Sequence, residues 1–362
     1  MFGLDAERAH EIGIEALKMG FGGSGMPEPL EGFGEIERFG LKFANPLGIA
    51  AGFDKNGVVV NQLASLGFGF VEVGTVTYDP QPGNPKPRMF RLPEDKALIN
   101  RLGFNNQGAV AVAERLQKLD RKCVVGVNIG KNMDVPNEEA TENYLKSFDL
   151  VHPVADYIAL NISSPNTPNL RELQKAENLE ELLSALQRRN AALGPAIRRP
   201  SADDRPPEGG TQNAKPMLVK IAPDLTEGEI EAIVDIAMRS EFSAIIATNT
   251  TVSRDGLNSM DVDKIGAGGL SGRPLTKRST DVISSIYRYS RGELPIIGVG
   301  GVFSAEDAFD KIAAGASLIQ AYTGFVYGGP SFAKDLNRGL AALLKERGFE
   351  TLDEAVGSGT NS

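Results

Sequence analysis

From residue 41 onward, short apolar runs of strand length alternate with longer segments whose apolar positions recur every three or four residues. The runs cover 45–52, 68–76, 123–130, 156–163, 216–223, 243–250, 295–302 and 318–325. Several are rich in Val and Ile without polar alternation, the pattern of strands buried on both faces. Between them, 110–119, 179–193, 227–238 and 305–313 carry the spacing of amphipathic helices. Eight strands with crossover helices predict an α/β chain folded as a (β/α)8 TIM barrel. A doubly wound open sheet is the rival, and the count of eight favours closure. The barrel is assigned to residues 40–350, and 351–362 read as a disordered tail.

Residues 1–39 stand apart as a short N-terminal helical extension. Within 4–19, Ala9, Ile12, Ala16 and Met19 share one helical face, with Ile14 and Leu17 broadening it. Asp5 is placed to cap that helix, and acidic Glu7 lies in its first turn. A Gly-rich linker, 20–27, follows. Such a helix can pack on the barrel, lie at a membrane surface or cover a channel mouth. Its polar face is mostly acidic, so membrane contact would rest on apolar burial.

Two connections are long. Residues 198–215 are polar and rich in Pro and Gly, and join a helix to the next strand. In a barrel that is the face away from the chemistry, and the segment reads as a disordered insertion. Residues 78–104 follow the second strand, on the functional face, and long ordered loops there are usually functional.

Composition narrows the partners. A net charge of −9 argues against nucleic acid, which needs a basic face. One cysteine, Cys123, permits no internal disulfide, and His10 and His152 alone make no zinc cluster. Cys123 reads as a buried structural thiol. No apolar run approaches the roughly 20 residues that span a bilayer, and no signal peptide opens the chain. An intracellular protein is expected.

Barrel enzymes place their chemistry where strands end. Those ends supply Ala51-Gly52-Phe53-Asp54-Lys55, then Thr75, Asn128 and Lys131, then Asn161 and Ser164. Lys220, Thr248-Asn249-Thr250, Gly300-Gly301 and Tyr322-Thr323-Gly324 follow. Each has a dull explanation taken singly; Ser163 to Asn166 could be a simple turn. Lys220 within Leu218-Val219-Lys220-Ile221 is harder to dismiss, because buried lysines are rare unless paired. Gly-Val-Gly-Gly ending one strand and Tyr-Thr-Gly ending the next fit the phosphate site formed after barrel strands seven and eight. No Gly-x-Gly-x-x-Gly follows an early strand, which disfavours a Rossmann dinucleotide site. A phosphorylated cofactor, two lysines, amides and a serine suggest an anionic substrate beside a flavin or similar ring.

Six motifs now carry a resemblance. They are Asn161 to Thr167 (NISSPNT), Ala51 to Gly57 (AGFDKNG), Asn100 to Asn106 (NRLGFNN), Val219 to Leu225 (VKIAPDL), Thr248 to Thr251 (TNTT) and Gly268 to Leu275 (GGLSGRPL). Together, over residues 40 to 345, the chain resembles the dihydroorotate dehydrogenase family. Ser164, where the soluble class carries a cysteine base, and the N-terminal helix make it similar to the membrane-associated, quinone-reducing class 2.

The resemblance implies FMN-dependent oxidation of (S)-dihydroorotate to orotate in de novo pyrimidine (UMP) biosynthesis, with reoxidation by membrane quinone. It implies a peripheral enzyme on the cytoplasmic side of the inner membrane. Ser164 would remove the C5 proton while the C6 hydride passes to flavin N5, with help from Thr167 and an ordered water. Lys55, Asn100, Arg101, Leu102, Gly103, Phe104, Asn161, Asn166, Asn249 and Thr250 would hold the substrate. Ala51, Gly52, Phe53, Asp54, Lys55, Thr75, Asn128, Asn161, Lys220, Thr248, Gly272, Gly301, Tyr322 and Thr323 would hold FMN. The loop 165–174 would close over the substrate.

One departure is visible: only 26–34 separates the first helix from the barrel, where the quinone class normally places a second helix. Rival readings are an FMN barrel using fumarate or NAD, a cofactor-free aldolase or isomerase with Lys220 as Schiff base, and a phosphate-ligand binding module.

Overall fold

Eight parallel strands close on themselves in chain order, the last hydrogen-bonded to the first. They are β1 (Leu47–Ile49), β2 (Phe70–Val76), β3 (Val124–Ile129), β4 (Tyr157–Asn161), β5 (Met217–Ile221), β6 (Ala244–Ala247), β7 (Ile296–Val299) and β8 (Leu318–Ala321). This computed structural model describes residues 3–23, 25–194, 214–260 and 262–360. Each strand lies inside one of the apolar runs and is shorter than it. The polar and glycine residues closing each run leave the ladder and turn toward the barrel mouth. The last run departs most: after Ala321 the chain becomes a helix, Thr323–Gly328, not more strand.

The outer helices fall where their periodicity places them, at Gly108–Gln117, Ala176–Leu193, Glu227–Arg239 and Ala305–Ala313. The Glu227–Arg239 and Ala305–Ala313 helices start with reciprocal capping boxes, Thr226 with Glu229 and Ser304 with Asp307. Leu179, Leu182, Leu183 and Leu186 bury one stripe of their helix against the barrel. Phe43, fully buried and edge-on to Phe70, belongs to the short antiparallel pair Ile36–Arg38 with Leu41–Phe43 that precedes β1.

Three expectations need correction or a limit. The connection 78–104 is not one long loop: Met89–Leu92 and Ala97–Asn100 form a hairpin, and Gly269–Gly272 adds a third antiparallel strand. The tail is ordered to residue 360. Thr351 and Glu354 form a capping box on Leu352–Ala355, Leu352 and Ala355 are buried, and Gly357 N–H bonds Ile312 O at 3.0 Å. That box was legible in the sequence as Thr-x-x-Glu, and the fold needs it because the tail covers apolar surface. Of the 198–215 insertion, all but Ala214 and Lys215 lies outside the described residues.

The N-terminal helix runs from Ala6 to Ala16 with Asp5 as its cap, then continues as a wider turn over Leu17–Phe21. Among the described residues, no second helix intervenes before Ile36.

Candidate active site

The closing strand ends form one pocket at the C-terminal mouth of the barrel. Its lining includes Ala51, Gly52, Lys55, Thr75, Asn100, Leu102, Gly103, Phe104, Asn161, Ser164 and Asn166. From the second half come Lys220, Thr248, Asn249, Thr250, Gly272, Gly301, Tyr322 and Thr323. Asn128 lies behind this surface, fully buried and bonded to Thr75.

The amides are held by one another. Asn161 Nδ2 donates to Thr75 Oγ1 at 2.9 Å, and Asn249 Nδ2 donates to Asn161 Oδ1 at 3.1 Å. Asn166 Nδ2 donates to Asn100 Oδ1 at 3.2 Å, so the loop after β4 touches the hairpin strand across the mouth. Ser164 is buried, and its Oγ accepts the Asn166 backbone N–H at 3.2 Å. Three residues on, the Thr167 hydroxyl is buried without a hydrogen-bond partner among the described residues.

Two lysines bring positive charge. Enclosure of Lys55 lowers its ammonium from an ordinary 10.5 to about 8, despite the pull of Glu7. Burial likewise lowers Lys220, with Glu72 opposing; the ammonium sits 3.9 Å from Glu72 Oε1. At the other end of the pocket the backbone comes close. Gly301 has φ +70°, and a Cβ there would lie 2.0 Å from Thr276 Oγ1. Gly272 has φ +105°, and a Cβ would lie 2.4 Å from Lys96 O. The first turn of Thr323–Gly328 leaves its N–H groups without helical partners beside them.

The pocket suits a flavin phosphate and ring. Gln320 Oε1 and the Tyr322 hydroxyl are buried polar atoms without partners, both on lining residues, and buried polar groups normally find one. A polar cofactor supplies such partners, and the glycines at 272 and 301, which the protein's own packing against Lys96 and Thr276 requires, keep that end of the pocket lined by backbone.

Four expected residues act elsewhere. The Phe53 ring lines a neighbouring cavity and meets His10 edge-on at 5.0 Å. Asp54 is buried and accepts the backbone N–H groups of Val58 and Val59 at 2.9 and 2.8 Å. Arg101 donates to Ile265 O and Ala267 O and covers the Phe90 ring. Lys131 is buried against the carbonyls of Asn132 and Val135 and does not line the pocket. Cys123 is only partly buried in the residue sense, and burial of its thiol raises it to about 12.

Sequence reasoning passed over Glu72, Gln320, Ser271 and Arg171. Glu72 carried a signal equal to that of Lys220: a charge inside Phe70-Val71-Glu72-Val73, wholly buried. Arg171 clamps the loop after β4, donating to Ser163 O and Thr250 O at 3.1 Å each and pairing with Asp224 at 2.8 Å. Nothing local marks it, since its partners lie on three different segments.

The second cavity, of about 240 Å³, is apolar and lies under the N-terminal helix. Ala9, His10, Gly13 and Leu17 face Phe53, Leu66 and Phe325 across it. Met89, Leu98 and Tyr322 line both cavities and therefore form the wall between them. Burial, then the charge of Lys55, lowers His10 to about 3, so it is neutral near pH 7.

A buried ion pair docks the helix: Arg88 Nη2 lies 2.8 Å from Glu7 Oε1, and Lys86 reaches Glu11 at 3.2 Å. Burial raises the Glu7 carboxyl, but Arg88 outweighs it and holds the group below its ordinary 4.5. The pair's contribution is therefore complete above pH 4.5 and is lost as pH falls through the lower, folded value. Arg88→Ala is expected to cost about 3 kcal/mol by leaving a buried carboxylate with only the exposed Lys86, 3.4 Å away, as its partner. A lowered Tm, with new proteolysis in the linker after Phe21, checks this.

Comparison with known proteins agrees with this geometry. A family model described as dihydroorotate dehydrogenase matches residues 35–344. The dihydroorotate dehydrogenase (quinone) of Roseiflexus sp. (strain RS-1) is 49% identical over 365 residues, covering 99% of this chain and 96% of that protein. That of Gloeobacter violaceus is 47% identical over 366 residues, with 99% and 96% coverage. The crystal structure of the DHODH of Eimeria tenella in complex with ferulenol superposes with a TM-score of 0.88 at 39% identity, covering 99% of this chain and 96% of that one. The chain belongs to the dihydroorotate dehydrogenase family, in its quinone class, and is an oxidoreductase.

Proposed function

We propose that the chain oxidises (S)-dihydroorotate to orotate in pyrimidine biosynthesis, using FMN and a serine base, and delivers the electrons to a membrane quinone. The observation that carries this reading is the convergence in one pocket of Ser164, two lysines, four asparagines and an end lined by Gly272, Gly300 and Gly301. When bound, FMN supplies the acceptor for the C6 hydride. Thr75, Lys220 and Thr248 would hold its ring side, with Asn128 bracing Thr75 from behind, and Gly272, Gly301, Tyr322 and Thr323 its phosphate side. The Lys220 ammonium provides positive charge inside the barrel where negative charge on the cofactor needs it.

Lys55 holds the substrate carboxylate, and Asn100, Asn161, Asn166, Asn249 and Thr250 read its amide edges. Ser164 Oγ takes the C5 proton. Because it already accepts the Asn166 N–H, its own proton is free to leave toward the unpartnered Thr167 hydroxyl through a water. The segment 165–174 covers this end, with Leu170 and Leu173 buried. It keeps bulk water from the reacting carbons.

The apolar cavity is the proposed quinone site, separated from the proposed flavin pocket by the shared wall of Met89, Leu98 and Tyr322. Leu4, Met19, Phe21 and Met26 are exposed on the extension, Phe21 to 78%, and would enter the membrane surface. Among the described residues no helix is long and apolar enough to cross a membrane.

Two measurements test the reading. Mass spectrometry of the chromophore released by heat should find FMN in near 1:1 ratio to chain; a colourless folded protein would refute it. Deleting residues 1–26 should cut quinone reduction at least about tenfold, as expected when a binding site loses one wall, and leave flavin reduction by dihydroorotate within twofold. Equal loss of both would assign the extension a folding role instead.

A further inference from the structure

We propose that Glu72 is a positioning residue: its carboxylate, which accepts from the donors around it, holds Asn128 so that the pocket-lining Thr75 keeps its proton inside a hydrogen-bond chain and presents an acceptor to the ligands. This rests on the proposed function above. Glu72 lies inside the barrel on β2, wholly buried, with donors converging on it. Tyr157 OH and Gln320 Nε2 reach Oε2 at 3.0 and 2.8 Å. Asn128 Nδ2 reaches Oε1 at 2.9 Å, and the Lys220 ammonium stands 3.9 Å from the same oxygen.

With donors converging on both of its oxygens and an ammonium beside it, Glu72 accepts, so Asn128 turns its NH2 toward Glu72 and its oxygen away. That oxygen takes the Thr75 hydroxyl proton at 2.5 Å. Thr75 has then used its one proton and can only accept, which it does from Asn161 Nδ2 at 2.9 Å. Asn161 Oδ1 is left facing Ser163 N–H at 3.3 Å and Asn249 Nδ2 at 3.1 Å. The far end is fixed independently, because Thr250 N–H donates to Asn249 Oδ1 at 2.8 Å.

Both ends of the chain therefore demand the same direction. An amide flipped end for end has nearly the same shape, so shape alone does not choose. With Gln in place of Glu72, Asn128 can flip, and Thr75 then meets two amide donors and turns its proton into the pocket. Thr75, which lines the pocket, changes from acceptor to donor although no atom there has been replaced.

The test is orotate affinity of the FMN-saturated full chain, read from the perturbation of flavin absorbance. Glu72→Gln should weaken it at least about tenfold, the order expected for one mispaired buried group. Tyr157→Phe, which removes a donor on the side away from the chain, should stay within twofold. The exchange Glu72→Gln with Asn128→Asp restores an acceptor for Thr75 and should return affinity to within about threefold of the parent. Unchanged binding in Glu72→Gln would overturn the proposal, as would equal loss in Tyr157→Phe or an exchange no better than Glu72→Gln.

If the single variant does not fold, the exchange variant decides on its own. Neutron diffraction of the parent protein is independent of folding and of flavin: deuterium on the Asn128 atom facing Glu72 supports the chain, and a bare oxygen there refutes it. A parent protein without flavin would instead count against the proposed function.

Discussion

Ser164→Ala is expected to slow the bleaching of bound flavin by dihydroorotate by about 10²–10⁴-fold, the range for loss of a positioned general base. Flavin content and Tm should hardly move. The substitution removes one buried oxygen, whose one hydrogen bond among the described residues is the one accepted from Asn166 N–H. The loop around it is fixed by Arg171 and by Leu170 and Leu173, not by that hydroxyl. A serine is a poor base unaided, so its place matters more than its intrinsic basicity. Anaerobic stopped-flow at 450 nm, roughly the flavin absorbance maximum, reads the step directly. A rate within about threefold of the parent would end the assignment.

The second large effect belongs to Lys55, and it has a pH signature. The enclosed ammonium is charged below about 8 and neutral above it. If it grips the substrate carboxylate, kcat/KM for dihydroorotate should be level below about 8 and fall about tenfold per pH unit above it. His10 adds no competing limb, because burial keeps it neutral over the same range. Lys55→Met should lose at least about 100-fold in kcat/KM, largely in KM, and lose the alkaline limb with it.

Stability should move the other way. The folded pKa of Lys55 lies below its ordinary 10.5, so its contribution is favourable above 10.5 and is lost as pH falls through about 8. At pH 7 the enclosed charge is a cost, and Lys55→Met without substrate should melt higher than the parent. A lower Tm would show that the lysine is structural.

How much of this could be read from the chain depends on the range of the interaction. The strands were legible because eight apolar runs, several rich in Val and Ile, repeat at crossover spacing, and a barrel buries both faces of each. Ser164, Lys220 and Asn249 were legible because a barrel turns the end of each run into its site. Phe53 and Asp54 were assigned to the flavin from their motif, yet one ring faces the second cavity and one carboxylate ties its own turn. A motif fixes where the backbone goes, and each side chain then follows its own partners. Arg171 and the Glu7–Arg88 pair escaped notice because their charge partners, Asp224 and each other, lie 53 and 81 positions away. The hairpin 89–100 was hidden for a related reason: its edge is completed by Gly269–Gly272, from the far end of the chain.

The most direct test of the central claim is one anaerobic titration of the purified full chain, followed by absorbance. The account predicts a flavin spectrum that bleaches on adding dihydroorotate and returns on adding a quinone. A flavin that bleaches but returns only with fumarate or NAD would contradict the quinone assignment, and a spectrum indifferent to dihydroorotate would contradict the account as a whole.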